Sequence, residues 1–241
     1  MHKLLAAAGI GSRREIESWV ADGRLKVDGQ TAITGQKITG AERLSLDGKP
    51  LRITPPETHA HRVIAYHKPE GQIVSRHDPE GRATVFKALP RVTGARWVAI
   101  GRLDINTSGL LLFTTDGQLA HRLMHPSTQV EREYATRVLG EVDANTLDAL
   151  LKGVLLEDGT AKFESIKSAG GQGANHWYHV VLREGRNREV RRLWESQNVT
   201  VSRLIRIRYG PIALGQGLKR GHHRELDTRE MKQLYAATAK P

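Results

Sequence analysis

An aspartate set between an apolar strand and a polar turn is the first feature of this chain that can do chemistry. Asp104 stands in the run Gly101-Arg102-Leu103-Asp104-Ile105-Asn106-Thr107-Ser108-Gly109-Leu110-Leu111-Leu112. A carboxylate at such a junction is presented by a rigid scaffold into whatever cleft lies beside it. The commoner use of a loop aspartate is to cap its own turn. Other reactive types lie further along, with Tyr134 at the end of Glu131-Arg132-Glu133-Tyr134 and an arginine-rich run at Glu184-Gly185-Arg186-Asn187-Arg188-Glu189-Val190-Arg191-Arg192. Cysteine is absent, which excludes disulfides, thiolate metal sites and cysteine nucleophiles. His121 and His125 have i, i+4 spacing, but no third ligand is evident and no Glu completes a His-Glu-x-x-His pattern, so no metal is expected. A glycosidase would need two carboxylates. Asp116, the available second one, reads better as a turn residue before Gly117.

Charge points to the partner. The 241 residues carry 37 Lys and Arg against 26 Asp and Glu, a formal net charge of +11. Arginine supplies 25 of those cations, and between Arg183 and Arg208 eight arginines face three glutamates. Guanidinium forks suit phosphates and stack on bases, so a nucleic acid is the expected partner. No apolar run approaches the roughly 18 residues of a membrane span, and the first residues lack an apolar signal core. A soluble cytoplasmic protein without membrane association is the expectation. No dimer seam is evident, so a monomer is expected.

These residues must be held by elements that the pattern marks out. A short helix over the first eight residues ends at Gly9-Ile10-Gly11. Ser12-Arg13-Arg14-Glu15 is a capping box that opens a second helix with Ile16, Trp19 and Val20 on its apolar face. Gly23 stops it, and the hairpin signals Asp28-Gly29 and Asp47-Gly48 follow short strands. Ile53-Thr54-Pro55-Pro56-Glu57-Thr58 reads as a linker. Beyond it, strands are expected at 63–66, 97–103, 110–114, 134–139, 162–166, 177–182 and 199–208, with helices at 118–124, 144–151, 188–196 and 228–237. Strands and helices mix without strict alternation, so the fold class is α+β. The domains expected are 1–53, a linker over 54–60, and 61–241.

In the arginine-rich segment, a helix capped by Asn187 would place Arg188, Arg191, Arg192 and Glu195 on one face and Val190, Leu193 and Trp194 on the other. The strand after it alternates, which puts Leu204, Arg206 and Arg208 on one side and Ile205 and Ile207 on the other. His222-His223 beside Arg224 reads as a basic surface patch.

The run Gly101-Arg102-Leu103-Asp104 followed by Thr107-Ser108-Gly109-Leu110-Leu111-Leu112 resembles the catalytic motif of the pseudouridine synthases, in the branch that modifies ribosomal RNA. Tyr66-His67-Lys68-Pro69-Glu70-Gly71, Arg122-Leu123-Met124-His125-Pro126-Ser127, Glu131 to Tyr134 and Glu184 to Arg192 resemble further motifs of that family, so the likeness runs over nearly the whole chain. Gly11 to Glu15, Gly23-Arg24 and Val27-Asp28-Gly29 resemble the S4 (alpha-L) RNA-binding module, and the two together make an RsuA-type arrangement. Asp78 to Phe86 and Met124 to Ser127 look most like members acting on the large ribosomal subunit.

The resemblance implies a synthase domain built on a mainly antiparallel mixed β-sheet with flanking helices. It implies isomerisation of a uridine in place, in which the N1–C1′ bond breaks and a C5–C1′ bond forms without a cofactor. Asp104 is then the catalytic carboxylate, by attack on C1′, a glycal route or action on the ring. Tyr134 lies against the base, and Arg191 is the candidate ion-pair partner that keeps Asp104 ionised. RNA contacts fall to Ser12, Arg13, Arg14, Arg24 and Lys26 in the small module, and to Arg102, Arg186, Arg188, Arg192, Arg206 and Arg208 in the larger domain. Arg102 would fill the gap left by an extruded nucleotide or hold its phosphates. The implied partner is large-subunit (23S) ribosomal RNA or a ribosome assembly intermediate, with position 2605 as the target uridine. The competing readings are a synthase acting on another ribosomal or transfer RNA uridine, and a non-catalytic assembly factor that only clamps RNA.

Overall fold

The computed structural model describes residues 1–52, 60–140 and 142–238. The expected proline linker therefore lies, apart from residue 60, outside the described residues. Two compact units are present. One comprises Met1–Arg62 with Pro90–Val98 and Thr114–Gly117; the other comprises Val63–Leu89, Ala99–Phe113 and Gln118–Pro241.

In the first unit, helix α1 (His2–Ala7) precedes α2 (Arg13–Ala21). The capping box forms as the sequence predicts: Glu15 N–H donates to Ser12 Oγ at 3.1 Å, and Ser12 N–H donates to the Glu15 carboxylate at 2.6 Å. Ile16 and Val20, one turn apart, bury their side chains against Leu5, Leu25, Val27 and Leu44. Strands β1 (Leu25–Val27), β2 (Gln30–Thr31), β3 (Leu44–Leu46) and β4 (Lys49–Leu51) form a sheet in the order β2-β1-β3-β4. Both Asp-Gly turns take the left-handed pair of angles that joins twisted antiparallel strands, with φ of 48° and 85° at Asp28 and Gly29 and 50° and 78° at Asp47 and Gly48.

The larger sheet uses β5 (Val63–Lys68), β6 (Val98–Ile100), β7 (Ser108–Thr114), β8 (Arg132–Leu139), then, past the small hairpin β9 (Val154–Leu156) and β10 (Gly159–Ala161), β11 (Ser165–Gln172), β12 (Asn175–Leu182), β13 (Thr200–Tyr209), β14 (Ile212–Ala213) and β15 (His223–Glu225). Its order is β11-β12-β8-β13-β7-β5-β15, with β14 on β13 and β6 on β7. The ladders β11/β12, β12/β8, β8/β13 and β5/β15 are antiparallel and β13/β7 is parallel, so the sheet is mixed and mainly antiparallel, as expected. Every residue of β7 is buried, which suits a strand covered on both faces. Helices α3 (Gly117–Met124), α4 (Ala144–Lys152), α5 (Glu189–Glu195) and α6 (Thr228–Ala236) flank the strands. Trp194, fully buried, seats α5 with its ring 5.7 Å from Phe163 and 5.4 Å from Tyr178.

Three expectations need correction. Asn187 is not the cap of α5: the N-cap is Arg188, in the left-handed conformation at φ 48°, and no side chain caps the helix. The buried arc of α5 is also wider than one face and includes Arg191, because the helix packs on both β13 and β9. In β13 the simple alternation fails. The register runs from Arg206 opposite Tyr134 directly to Arg208 opposite Glu133, so Ile207 is an extra, bulged residue. Arg206 and Arg208 therefore face opposite sides of the sheet. His222 and His223 are exposed, as expected of a surface patch, and His223 and Arg224 lie on the edge strand β15, where Arg224 is engaged by Glu230 at 2.6 and 2.7 Å.

Candidate active site

Asp104 lies in the loop 101–107 between β6 and β7, on the wall of a cavity of about 630 Å³ that Tyr134, Arg102, Arg132, Arg186, Arg188, Glu189 and Arg206 also line. Gly101 enters the loop with φ +78°, and the Thr107 N–H closes it onto the Asp104 carbonyl at 3.0 Å. The loop is tied down from two directions by buried cations that bond its main chain. Lys68, at the end of β5, donates through Nζ to the carbonyls of Pro69, Asp104 and Thr107 at 3.0, 3.0 and 2.8 Å. Arg191 donates to Asn106 O at 3.0 Å and to Val201 O at 2.8 Å.

The direct pair expected between Arg191 and Asp104 is thus replaced. Both terminal nitrogens of Arg191 serve carbonyls, and its charge reaches the carboxylate through space. Burial and the neighbouring Arg188 lower the Arg191 pKa while Asp104 opposes the shift. Burial likewise pulls Lys68 down to about 8 against the pull of Asp104 and Glu70. Both groups remain cations at neutral pH and place positive charge near Asp104.

The glycine of the Thr-Ser-Gly turn has a definite task. β7 runs parallel to β13 with Gly109 beside Arg206, and a Cβ on Gly109 would intrude on the main chain of Arg206. Its φ of +109° is a second reason for glycine. This close approach brings the Asp104 loop and β13 to one cavity.

The sheet supplies the next wall. Arg132 and Tyr134 project from one face of β8, and across the ladder Tyr209 opposes Arg132 while Arg206 opposes Tyr134. Arg132 and Tyr134 are each 8% exposed and Arg206 is 2% exposed. The expected surface contact of Arg206 with phosphate is therefore corrected: its Nε donates to Leu110 O at 2.7 Å and the side chain is interior. Arg208, turned to the other face by the bulge, is held by Glu133 at 2.7 Å and Glu131 at 3.1 Å.

The remaining predicted cations divide by partner. Arg192 is locked to Asp158 in a two-pronged pair at 2.9 and 2.8 Å, which holds Asp158 down at about 2. Arg186 bonds Glu184 at 2.8 Å and the Thr160 carbonyl at 2.9 Å. These contacts fasten the β9–β10 hairpin to the arginine-rich segment. Arg188 is exposed, with a single 3.5 Å contact to Glu195, and Arg102 is exposed at the cavity. In the first unit Arg13, Arg14 and Lys26 are exposed, Ser12 is occupied as the cap, and Arg24 pairs with Asp47 at 2.9 and 2.6 Å.

Several residues that build the cavity were not singled out from sequence. Lys68 carried a signal, a lysine closing an apolar strand run. Arg132 had one too, two residues from Tyr134 and so on the same strand face. Glu189 had none: its carboxyl reaches back to the Arg186 N–H at 3.0 Å, and burial together with the Glu184 carboxyl pushes it up to about 7. The β9–β10 hairpin was missed although Asp158-Gly159 is a turn signal of the kind read elsewhere.

The RNA pseudouridylate synthase family model matches residues 62–196. The chain is 58% identical over 236 residues to ribosomal large subunit pseudouridine synthase B of Haemophilus influenzae and 54% identical over 232 residues to the protein of that name from Pseudomonas aeruginosa. Those matches cover 97% and 96% of this chain, and the chain spans 66% and 60% of the two relatives. A Pasteurella multocida relative of the same name is 57% identical, with 68% of its length covered. Among solved structures, a pseudouridylate synthase crystal structure matches with a TM-score of 0.67 at 24% identity, over 97% of this chain and 98% of that one, a likeness of fold. The matched segment contains Asp104, Tyr134 and Arg191, and on these findings the chain belongs to the RNA pseudouridylate synthase family.

Proposed function

We propose that this protein isomerises a uridine of large-subunit ribosomal RNA to pseudouridine, with position 2605 of the 23S RNA as the target. The observation that carries the reading is the placement of Asp104, a carboxylate on the wall of a cavity roomy enough for an extruded nucleoside, whose loop two buried cations hold by the main chain. The relatives' names supply the RNA class. A paired uridine hides its glycosidic bond, so the base is extruded into the cavity at a cost of a few kcal/mol. Tyr134 stacks on it, Asp104 meets C1′ as the N1–C1′ bond breaks, the uracil turns, and C5 bonds C1′. The C5 proton is lost and N1 gains one, so the reaction is balanced without a co-reactant. Arg191 and Lys68 act as positioning residues that hold the Asp104 loop by its main chain.

Residues 1–53 are read as an S4 module that adds a second RNA contact through Arg13, Arg14 and Lys26. Residues 61–241 are read as the catalytic domain.

Pseudouridine mapping in ribosomal RNA from cells lacking the protein tests the function. One modification is expected to vanish, to return with the wild-type gene and to stay absent with Asp104→Asn. Persistence of every modification, or its return with Asp104→Asn, would overturn catalysis and favour an RNA-clamping assembly factor.

A further inference from the structure

Two cations in the cavity wall have no use in the scheme above. Arg132 and Arg206 lie on adjacent strands with Tyr209 between them in the network, their guanidinium carbons 5.2 and 5.1 Å from the centre of its ring. Arg132 donates to the carbonyls of Val130 and Arg183 at 2.8 and 2.9 Å and to the Tyr209 hydroxyl at 3.3 Å. Arg206 donates through Nε to Leu110 O, and its Nη2 is buried without a partner. Among the described residues neither is in an ion pair. Of the nearby carboxylates, Glu184 is held by Arg186, Glu189 accepts from the Arg186 N–H, and Glu131 and Glu133 go to Arg208 on the opposite face of the sheet; Asp104 shares the cavity but pairs with neither arginine.

Two buried guanidiniums without counter-ions are costly unless an anion comes to them. Phosphates stay on the RNA backbone, and the exposed arginines of the same cavity, Arg102, Arg183 and Arg188, suit them. The interior pair sits where the base goes, since Arg206 is the cross-strand neighbour of Tyr134.

We propose that Arg132 and Arg206 form an anion subsite for the detached uracil, an inference that rests on the isomerase reading. When the N1–C1′ bond breaks, its electron pair leaves with the base, and uracil becomes a monoanion while C1′ becomes electron-deficient. The guanidiniums meet the negative charge on the ring oxygens, and Asp104 meets C1′. The charge is returned when C5 bonds C1′, and the C5 proton is replaced by one on N1. Fixed donors at a developing negative charge are worth about 10²–10³ in rate.

The test uses the full chain and large-subunit ribosomal RNA isolated from cells lacking it, under single turnover with saturating enzyme. Arg132→Gln and Arg206→Gln are expected to slow conversion about 100-fold or more, with RNA affinity and its salt dependence unchanged. Arg132→Lys and Arg206→Lys, which restore charge without the forked carbonyl contacts, are expected to recover at least about tenfold of that loss. Unchanged rates would overturn the proposal. So would weaker binding with a flatter salt dependence and an unchanged saturated rate, because the subsite would then hold a phosphate. Lysine variants as slow as the glutamine ones would show a purely structural role. If Arg206→Gln fails to fold, the less buried Arg132 pair reads the same ratio. Wild-type protein that converts no uridine sinks the isomerase reading itself, whereas active wild type with undiminished variants sinks the subsite alone.

Discussion

Lys68 holds Asp104 by its main chain: the buried ammonium donates to the Asp104 carbonyl at 3.0 Å while its charge lies near the carboxylate of the same residue. The same Nζ donates to the Pro69 and Thr107 carbonyls, so one side chain ties the middle and the end of the loop to the end of β5. Lys68→Met leaves those carbonyls without their donor, at about 1–3 kcal/mol for a buried unsatisfied group, and frees the loop. Thermal melting should fall by a few degrees, and the single-turnover rate should fall about 10–100-fold through misplacement of Asp104. A variant that turns over at the wild-type rate would remove Lys68 from the positioning scheme.

Gly109 has no room for a side chain. Gly109→Ala would force a Cβ against the main chain of Arg206 at a φ of +109°. A loss of about 3 kcal/mol or more is expected from the combined strain and overpacking, read as a lowered denaturation midpoint. Activity should fall with it, because the β7–β13 approach sets the distance between Asp104 and the sheet wall.

Glu189 makes stability depend on pH. Its folded pKa is raised from 4.5 to about 7, chiefly by burial and next by Glu184. Between those values the folded state binds more protons than the unfolded one, so this group's contribution is fully present below about pH 4.5 and is lost as pH rises through 7. Glu189→Gln should remove that slope, on the order of 1.4 kcal/mol per pH unit at most. Melting temperatures of variant and wild type should diverge in favour of the variant toward pH 7 and then run parallel. Curves that stay parallel from pH 4 to 8 would place the ionisation elsewhere.

Arg13 and Arg14 carry the RNA-binding reading of the first unit. Both are exposed in the first turn of α2. Their double alanine variant should bind ribosomal RNA more weakly and flatten the plot of log affinity against log salt by about 1.4, two phosphate contacts at roughly 0.7 each for single strands. Stability should change little, since the capping box of Ser12 and Glu15 remains. An unaltered salt slope would remove these residues from the interface.

Local chemistry carried much of this protein in plain view. The Ser12–Glu15 box, the Asp28-Gly29 and Asp47-Gly48 turns, and most strand and helix positions follow from interactions within a few residues. The motif around Asp104 likewise marks its loop and its place after a strand, because an aspartate, a turn and an apolar run are read in one window.

What the tertiary structure alone decided is which partner each cation meets. Strand alternation has a period of two, so the single extra residue at Ile207 sends Arg208 to Glu131 and Glu133 and leaves Arg206 interior with Tyr209. That bulge depends on the register against β8, some seventy residues earlier, which no local pattern contains. Arg191 and Lys68 show the same limit. Their positive charge is legible in the sequence, but their use as main-chain ties of the Asp104 loop arises from contacts 85 and 36 residues apart. The chain by itself determined the elements and the chemical groups, whereas long-range packing determined which guanidiniums are spent on structure and which remain for a substrate.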